Sequence, residues 1–200
     1  MLNDEPRRAD ARENRRRLVE AARKAFAGGT SVPLEDIAAH AGVGIGTLYR
    51  HFPKREALVA AVYRDQIDDL RAGADALLSQ HAPIEALRMW MDLFAGWATA
   101  KRGMVETLAA MRRSGALDFD ASRSEIEGIV ATLLAAGRDA GQLRADVDPA
   151  DVRSLLAGAM AVAEDPEQTA RLFDLLLDAL RSERVDPDRH SNHRRRRGDA

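Results

Sequence analysis

Gly42-Val43-Gly44-Ile45-Gly46-Thr47-Leu48-Tyr49-Arg50-His51-Phe52-Pro53-Lys54-Arg55 is the stretch on which the reading of this chain turns. It follows Leu34-Glu35-Asp36-Ile37-Ala38-Ala39-His40-Ala41. Pro33 can open a helix there, with Leu34, Ile37, Ala38 and Ala41 turned inward. Gly42 can supply the positive φ that a sharp turn between two helices needs. The small Ala38 allows close approach, and Val43 and Leu48 plug the interior. Ile45 to His51 then forms a second short helix, which Pro53 interrupts. Upstream, Leu18, Val19, Ala22, Ala25 and Phe26 follow a helical period from Arg12, stopped by Gly28-Gly29. Three helices with this turn make a helix-turn-helix, and the second helix of such a pair is the one that enters a DNA major groove.

The rest of the chain is helical in pattern. A fourth helix runs from about Lys54 with Leu58, Val59, Val62, Tyr63 and Leu70 buried. Pro83 opens a segment with Leu87, Trp90, Met91 and Phe94 on one face and Met89, Leu93 and Trp97 on the other. Met104, Leu108 and Met111 mark a further helix, and Ile126, Ile129, Val130, Leu133 and Leu134 the next, closed near Gly141. Pro149 and Pro166 begin the last two. No stretch alternates in the manner of a strand, so the expected fold class is all-α. The expected divisions are a disordered arm over 1–11, the helix-turn-helix head over 12–56, a larger helical body over 57–185, and a disordered basic tail over 186–200 that carries His190, His193 and four consecutive arginines at 194–197.

Two hundred residues, 46% hydrophobic and 31% charged, suffice to bury a core without staples. The absence of cysteine excludes a disulfide framework, a thiolate nucleophile and a cysteine-ligated metal. No run reaches the roughly 18 apolar residues of a membrane span, and Met1 to Pro6 holds no secretory apolar segment, so a cytoplasmic protein is expected. The net charge of -2 is unevenly spread. Residues 1–56 hold eleven Lys/Arg against eight Asp/Glu, while residues 57–185 hold fourteen against twenty-one. A basic head on an acidic body suits a polyanion met by the head alone, although ordinary solvated helix faces give a similar split. The enzyme reading has no phosphate-cradling glycine loop, no nucleophile elbow and no paired-His metal motif behind it, so no catalysis, cofactor or metal is expected.

The run from Leu18 to Val62, and above all the fourteen residues from Gly42 to Arg55, resembles the DNA-binding domain of TetR-family transcriptional regulators. The remainder resembles the family only in layout, a helical ligand-binding and dimerisation domain. The resemblance implies that Thr47, Tyr49 and His51 contact operator phosphates and that Arg55 grips phosphate at the start of the fourth helix. It places Ile45, Gly46 and Arg50 toward bases, and Glu35 where some members carry a base-reading side chain. An exposed helical glutamate without that role is the plainer reading of Glu35. Lys54 departs from the small capping residue common in the family, which weakens the cap and adds charge. Gly44, Ile45 and Gly46 offer little hydrogen bonding, which shifts recognition toward thymine methyls and DNA shape. Arg15 and Arg16, with Arg12 and Arg17 beside them, can add salt-dependent phosphate contact, or simply solvate the start of the first helix.

In the body, Met89, Trp90, Phe94, Trp97, Met104, Met111, Leu133 and Met160 either line an effector pocket or form plain core. Leu155, Ala159, Leu172, Leu176 and Leu180 lie on wide apolar faces that suit a homodimer interface, the alternative being burial within one subunit. The expected function is a sequence-specific transcriptional regulator that binds a pseudo-palindromic double-stranded operator as a homodimer, a repressor released by a small-molecule effector. The alternatives are a DNA-binding regulator that recruits protein or activates without an effector, and a helical protein-interaction module.

Overall fold

The computed structural model describes residues 5–27 and 32–182. Among them are nine α-helices: α1 (Glu5–Ala27), α2 (Leu34–His40), α3 (Ile45–His51), α4 (Arg55–Gln80), α5 (Pro83–Ala100), α6 (Val105–Ser114), α7 (Phe119–Asp139), α8 (Pro149–Val162) and α9 (Pro166–Leu180). A 3₁₀ turn, Lys101–Met104, joins α5 to α6. The described residues contain no strand, only an isolated antiparallel bridge between Leu143 and Arg181. The fold is all-α, as the apolar periodicity requires.

One boundary differs from the sequence expectation. Residues 5–11 are not an arm but the first turns of α1. Arg8, Ala9 and Ala11 are strong helix formers. Residues 1–4, the Gly28-Gly29 stop, and the tail 186–200 with His190 and His193 lie outside the described residues.

The helix starts obey local chemistry. Asp118, Asp148 and Asp165 precede α7, α8 and α9, and their carboxylates accept from the backbone N–H of Ala121, Ala150 and Gln168. Pro149 and Pro166 occupy positions where no backbone donor is needed. The first N–H of α5 is satisfied from a distance, Ile84 N donating to Gln142 Oε1 at 3.0 Å.

Between α2 and α3 the chain reverses through Gly42, which has φ +64. Gly42 N donates to Ala39 O and Val43 N to Ala38 O, both at 3.0 Å, so the carbonyls at the end of α2 are satisfied inside the turn. Leu18, Ala22, Phe26, Ile37, Ala38, Leu48 and Phe52 close the head around its own interior. α4 packs against α1 as well as against α5 and α7. A single apolar cluster therefore runs from Leu18 to Leu180, and head and body are joined by a continuous helix rather than by a linker. α4 passes unbroken through Gly73, where a Cβ would collide with Leu93 Cδ1 of α5.

Candidate nucleic-acid interface

α3 is two turns long, and the burial of Leu48 fixes which way each of its side chains faces. Rows four apart share a helix face. Opposite Leu48 stand Gly46 and Arg50, both exposed. One flank carries Ile45 and Tyr49, which are 38% and 45% exposed. The other carries Thr47 and His51, both half-buried. An exposed tyrosine beside an exposed isoleucine on a seven-residue helix is apolar area left in water, which suits a surface that meets another molecule.

Basic groups ring this helix in two different states. Lys54, at the N-cap of α4, is exposed and makes no side-chain cap, as its ammonium lacks the acceptor that position calls for. Arg50 Nη2 donates to Thr47 Oγ1 at 2.9 Å, so the guanidinium lies back over its own helix. Arg15 places its guanidinium 4.6 Å from the ring centroid of the buried Phe52 and Arg16 is held bidentately by Glu13 at 2.6 and 2.9 Å. The Glu13 carboxyl is lowered from its ordinary value by that hydrogen bond with Arg16. Arg17 Nη2 donates to the Gly42 carbonyl at 3.4 Å, tying α1 to the turn. Glu35 is exposed on the first turn of α2.

Arg55 is drawn inward. It is half-buried, its Nη1 donates to Val32 O at 2.6 Å and its guanidinium stacks 5.2 Å from the Phe26 centroid. Its first task is to splint the start of α4 to the segment before α2, and only its remaining donors are left for a phosphate. The sequence reading missed the two arginines with architectural roles here, Arg17 and Arg55, because spacing shows charge and not the carbonyl it will find.

Residues 18–62 match the model of bacterial regulatory proteins of the tetR family, and residues 82–182 match that of the C-terminal domain of SbtR-like transcriptional regulators. A TetR transcriptional regulator of Streptomyces coelicolor is 40% identical, with 84% of this chain and 99% of that one covered and a TM-score of 0.75. The chain belongs to the TetR family of transcriptional regulators. A second TetR structure, from Mycobacterium vanbaalenii, is 37% identical over 88% of this chain and 99% of its own, with a TM-score of 0.70. Among curated proteins, an HTH-type transcriptional regulator of Staphylococcus aureus is 41% identical over 106 residues, 52% of this chain, and the match spans 57% of that relative's length.

In this TetR-family chain the eight side chains expected at an effector pocket separate into four groups. Trp90, Met104, Met111 and Leu133 are core: all are buried, and the Trp90 indole donates to Leu70 O at 2.9 Å. Met89 lies outside the core and is 42% exposed. Met160 faces a separate groove of about 470 Å³ between α5 and the α8–α9 corner. Only Phe94 and Trp97 line the half-open cavity of about 180 Å³ between α4 and α8. Spacing along one helix cannot tell which residue of a stripe will meet a void, because the void is made by the others.

The apolar faces of α8 and α9 also separate. Leu155 is exposed, and Ala159, Leu172 and Leu176 are half-buried. Leu180 is buried in the subunit's own core and is withdrawn from any surface, because the chain beyond α9 turns back to bridge Leu143. Val162 and Leu175 are the most exposed of these residues at 68% and 66%. The described residues include no helix long and apolar enough to cross a membrane.

Proposed function

We propose that this chain is a homodimeric, sequence-specific repressor that binds a pseudo-palindromic operator and is released by a small-molecule effector. The observation that carries the reading is α3, which buries Leu48 alone and leaves Ile45, Gly46, Tyr49 and Arg50 outward beside Lys54. Residues 12–56 act as the head and 57–185 as the body. In the complex, Arg50 leaves Thr47 and turns toward bases with Ile45 and Gly46. Thr47, Tyr49, His51, Lys54 and the free donors of Arg55 take phosphates, and Arg15 and Arg16 extend that contact along α1. Glu35 stands at the groove edge, where it can accept from a cytosine amino group.

Dimerisation rests on α8 and α9. Leu155, Gly158 and Val162 are spaced three and four apart on one face of α8, and Leu175 stands outward on α9, so a two-fold copy would cover apolar area that one subunit leaves wet. Ala159, Leu172 and Leu176 border that face, and Leu180 is no part of it. A dimer would hold two copies of α3 roughly 34–36 Å apart, one turn of duplex.

Release would pass through α4. Arg23 of α1 lies against Asp65 and Asp69 of α4, so a shift of α4 in the body carries α1 with it. A nearly complete switch needs about 5.5 kcal/mol of differential effector affinity between the two states. Selection of bound fragments from genomic DNA, followed by fluorescence anisotropy at several salt concentrations, tests the reading. Nanomolar binding to a two-fold-symmetric site is expected, and weak binding to all sequences alike would overturn it.

A further inference from the structure

The half-open cavity between α4 and α8 is lined by four cations, Lys101, Arg112, Arg123 and Arg153, and by no carboxylate. Two of the four are answered from outside it: Arg153 Nε donates to Glu127 at 2.9 Å, and Arg123 lies 3.7 Å from Asp120. Lys101 is not. Its ammonium sits over the faces of Trp97 and Tyr63, 3.4 and 5.0 Å from their centroids, and among the described residues it forms no ion pair. Burial alone lowers its pKa from 10.5 to about 8. A second donor is also unspent, since the Trp97 indole N–H is buried and has no acceptor among the described residues. A cation withdrawn from water toward ring faces, beside an unused N–H, is a set of donors without its acceptor.

The remaining walls are apolar and aromatic, Phe94, Phe119 and Ile126 among them. At about 180 Å³ the space is small, close to the roughly 150 Å³ cavity that holds one benzene ring. We infer that this cavity takes a small organic monocarboxylate, its anionic head on Lys101 and a one-ring or branched apolar body against Phe94 and Phe119. The inference names the effector class of the proposed repressor and rests on that reading for its consequence, though not for the binding itself. The 3₁₀ turn that carries Lys101 packs against α1, and Tyr63 belongs to α4, so an anion drawing on Lys101 acts on two segments that reach the head.

The full chain is titrated at constant ionic strength with sodium phenylacetate, benzoate, isovalerate, neutral phenylacetamide and inorganic phosphate. Tryptophan fluorescence reports the cavity, since Trp97 is one of only two tryptophans and Trp90 is sealed in the core. At least one carboxylate is expected to saturate, with phenylacetamide and phosphate about tenfold weaker or worse. Lys101→Met, which keeps the apolar stem, should lose about tenfold in carboxylate affinity while Lys101→Arg retains it. Equal binding of acid and amide, an unchanged affinity in Lys101→Met, or no saturation by any carboxylate up to about 10 mM would each overturn the inference. Wild-type protein that holds its selected DNA fragment but no carboxylate defeats this inference alone. Protein that binds a carboxylate but no DNA defeats the proposed function alone.

Discussion

In the head, α3 spends one residue on the core and turns Tyr49, Arg50 and Gly46 to the outside, whereas in the body Lys101 is folded over Trp97 and Tyr63 and forms no ion pair among the described residues. The two regions differ in their helix starts as well. α2, α3 and α4 begin at Pro33, Gly44 and Lys54 with no side-chain cap, while α7, α8 and α9 begin on aspartates that close the first turn. An aspartate at such a position adds negative charge, which stabilises the helix but repels a polyanion. The head forgoes that stabilisation around its outward surface. The body, which in our reading meets no phosphate backbone, keeps it at α7, α8 and α9, while α5 and α6 start at Ala82 and Met104 without a side-chain cap.

The largest expected effects test whether the two regions stand on one core. Phe52→Ala in the head should cost about 3–5 kcal/mol, and Leu133→Ala in the body about 2–5 kcal/mol. Urea unfolding of both variants should remain a single transition, because the apolar cluster is continuous across α4. A separate early transition confined to the head would break that part of the account.

Next in size is the body's buried ammonium. Folding lowers the pKa of Lys101 to about 8, so the folded chain holds that proton less firmly than the unfolded one. Its contribution is therefore unfavourable below about pH 8 and relaxes as pH rises toward the ordinary lysine value of about 10.4. Arg112, Arg123, Arg153 and Tyr63 face the same cavity and do not supply a counter-charge near neutral pH. Lys101→Met should gain on the order of 1–3 kcal/mol at pH 7. The gain should shrink between about pH 8 and pH 10.4 in melting curves taken across that range. A gain independent of pH would mean that packing and not charge is responsible.

Gly42→Ala follows, with a cost of about 1–2 kcal/mol from the left-handed backbone at φ +64. The collision of its Cβ with the Arg17 guanidinium can be relieved by moving that flexible end. Guanidinium unfolding measures it, and an unchanged midpoint would show that the turn relaxes freely. Smallest in stability is Tyr49→Phe, expected within about 0.5 kcal/mol of wild type because the ring is exposed. Its signature is in binding: affinity should fall by less than about tenfold, and equally on all DNA sequences, as loss of a phosphate contact requires. A loss limited to one base pair of the site would move Tyr49 from phosphate to base recognition.

The head was legible because its chemistry is local. Gly42, Leu48 and Pro53 fix the turn, the inward face and the break within one short stretch, and the directions of Ile45, Tyr49 and Arg50 follow from helical period alone. The end of α1 at Glu5 was missed because charged, exposed turns carry no apolar period. Arg55 read as a free cation, since nothing in sequence announces the Val32 carbonyl that receives it. The body's site was largely illegible. Lys101, Arg112, Arg123 and Arg153 come from a 3₁₀ turn and three helices, and only tertiary packing brings them to one void. The Met and aromatic stripe that looked like a pocket is mostly core, with Phe94 and Trp97 alone reaching the cavity.

The most direct test of the outward α3 surface is the salt dependence of binding to a selected two-fold-symmetric DNA fragment, for wild type and Lys54→Ala. The logarithm of the association constant should fall linearly with the logarithm of salt concentration, with a slope steeper than about −4 for a dimer that neutralises several phosphates per subunit. Lys54→Ala should flatten that slope by about 2, one phosphate for each subunit. A wild-type slope near zero, or a Lys54→Ala slope indistinguishable from it, would contradict the account.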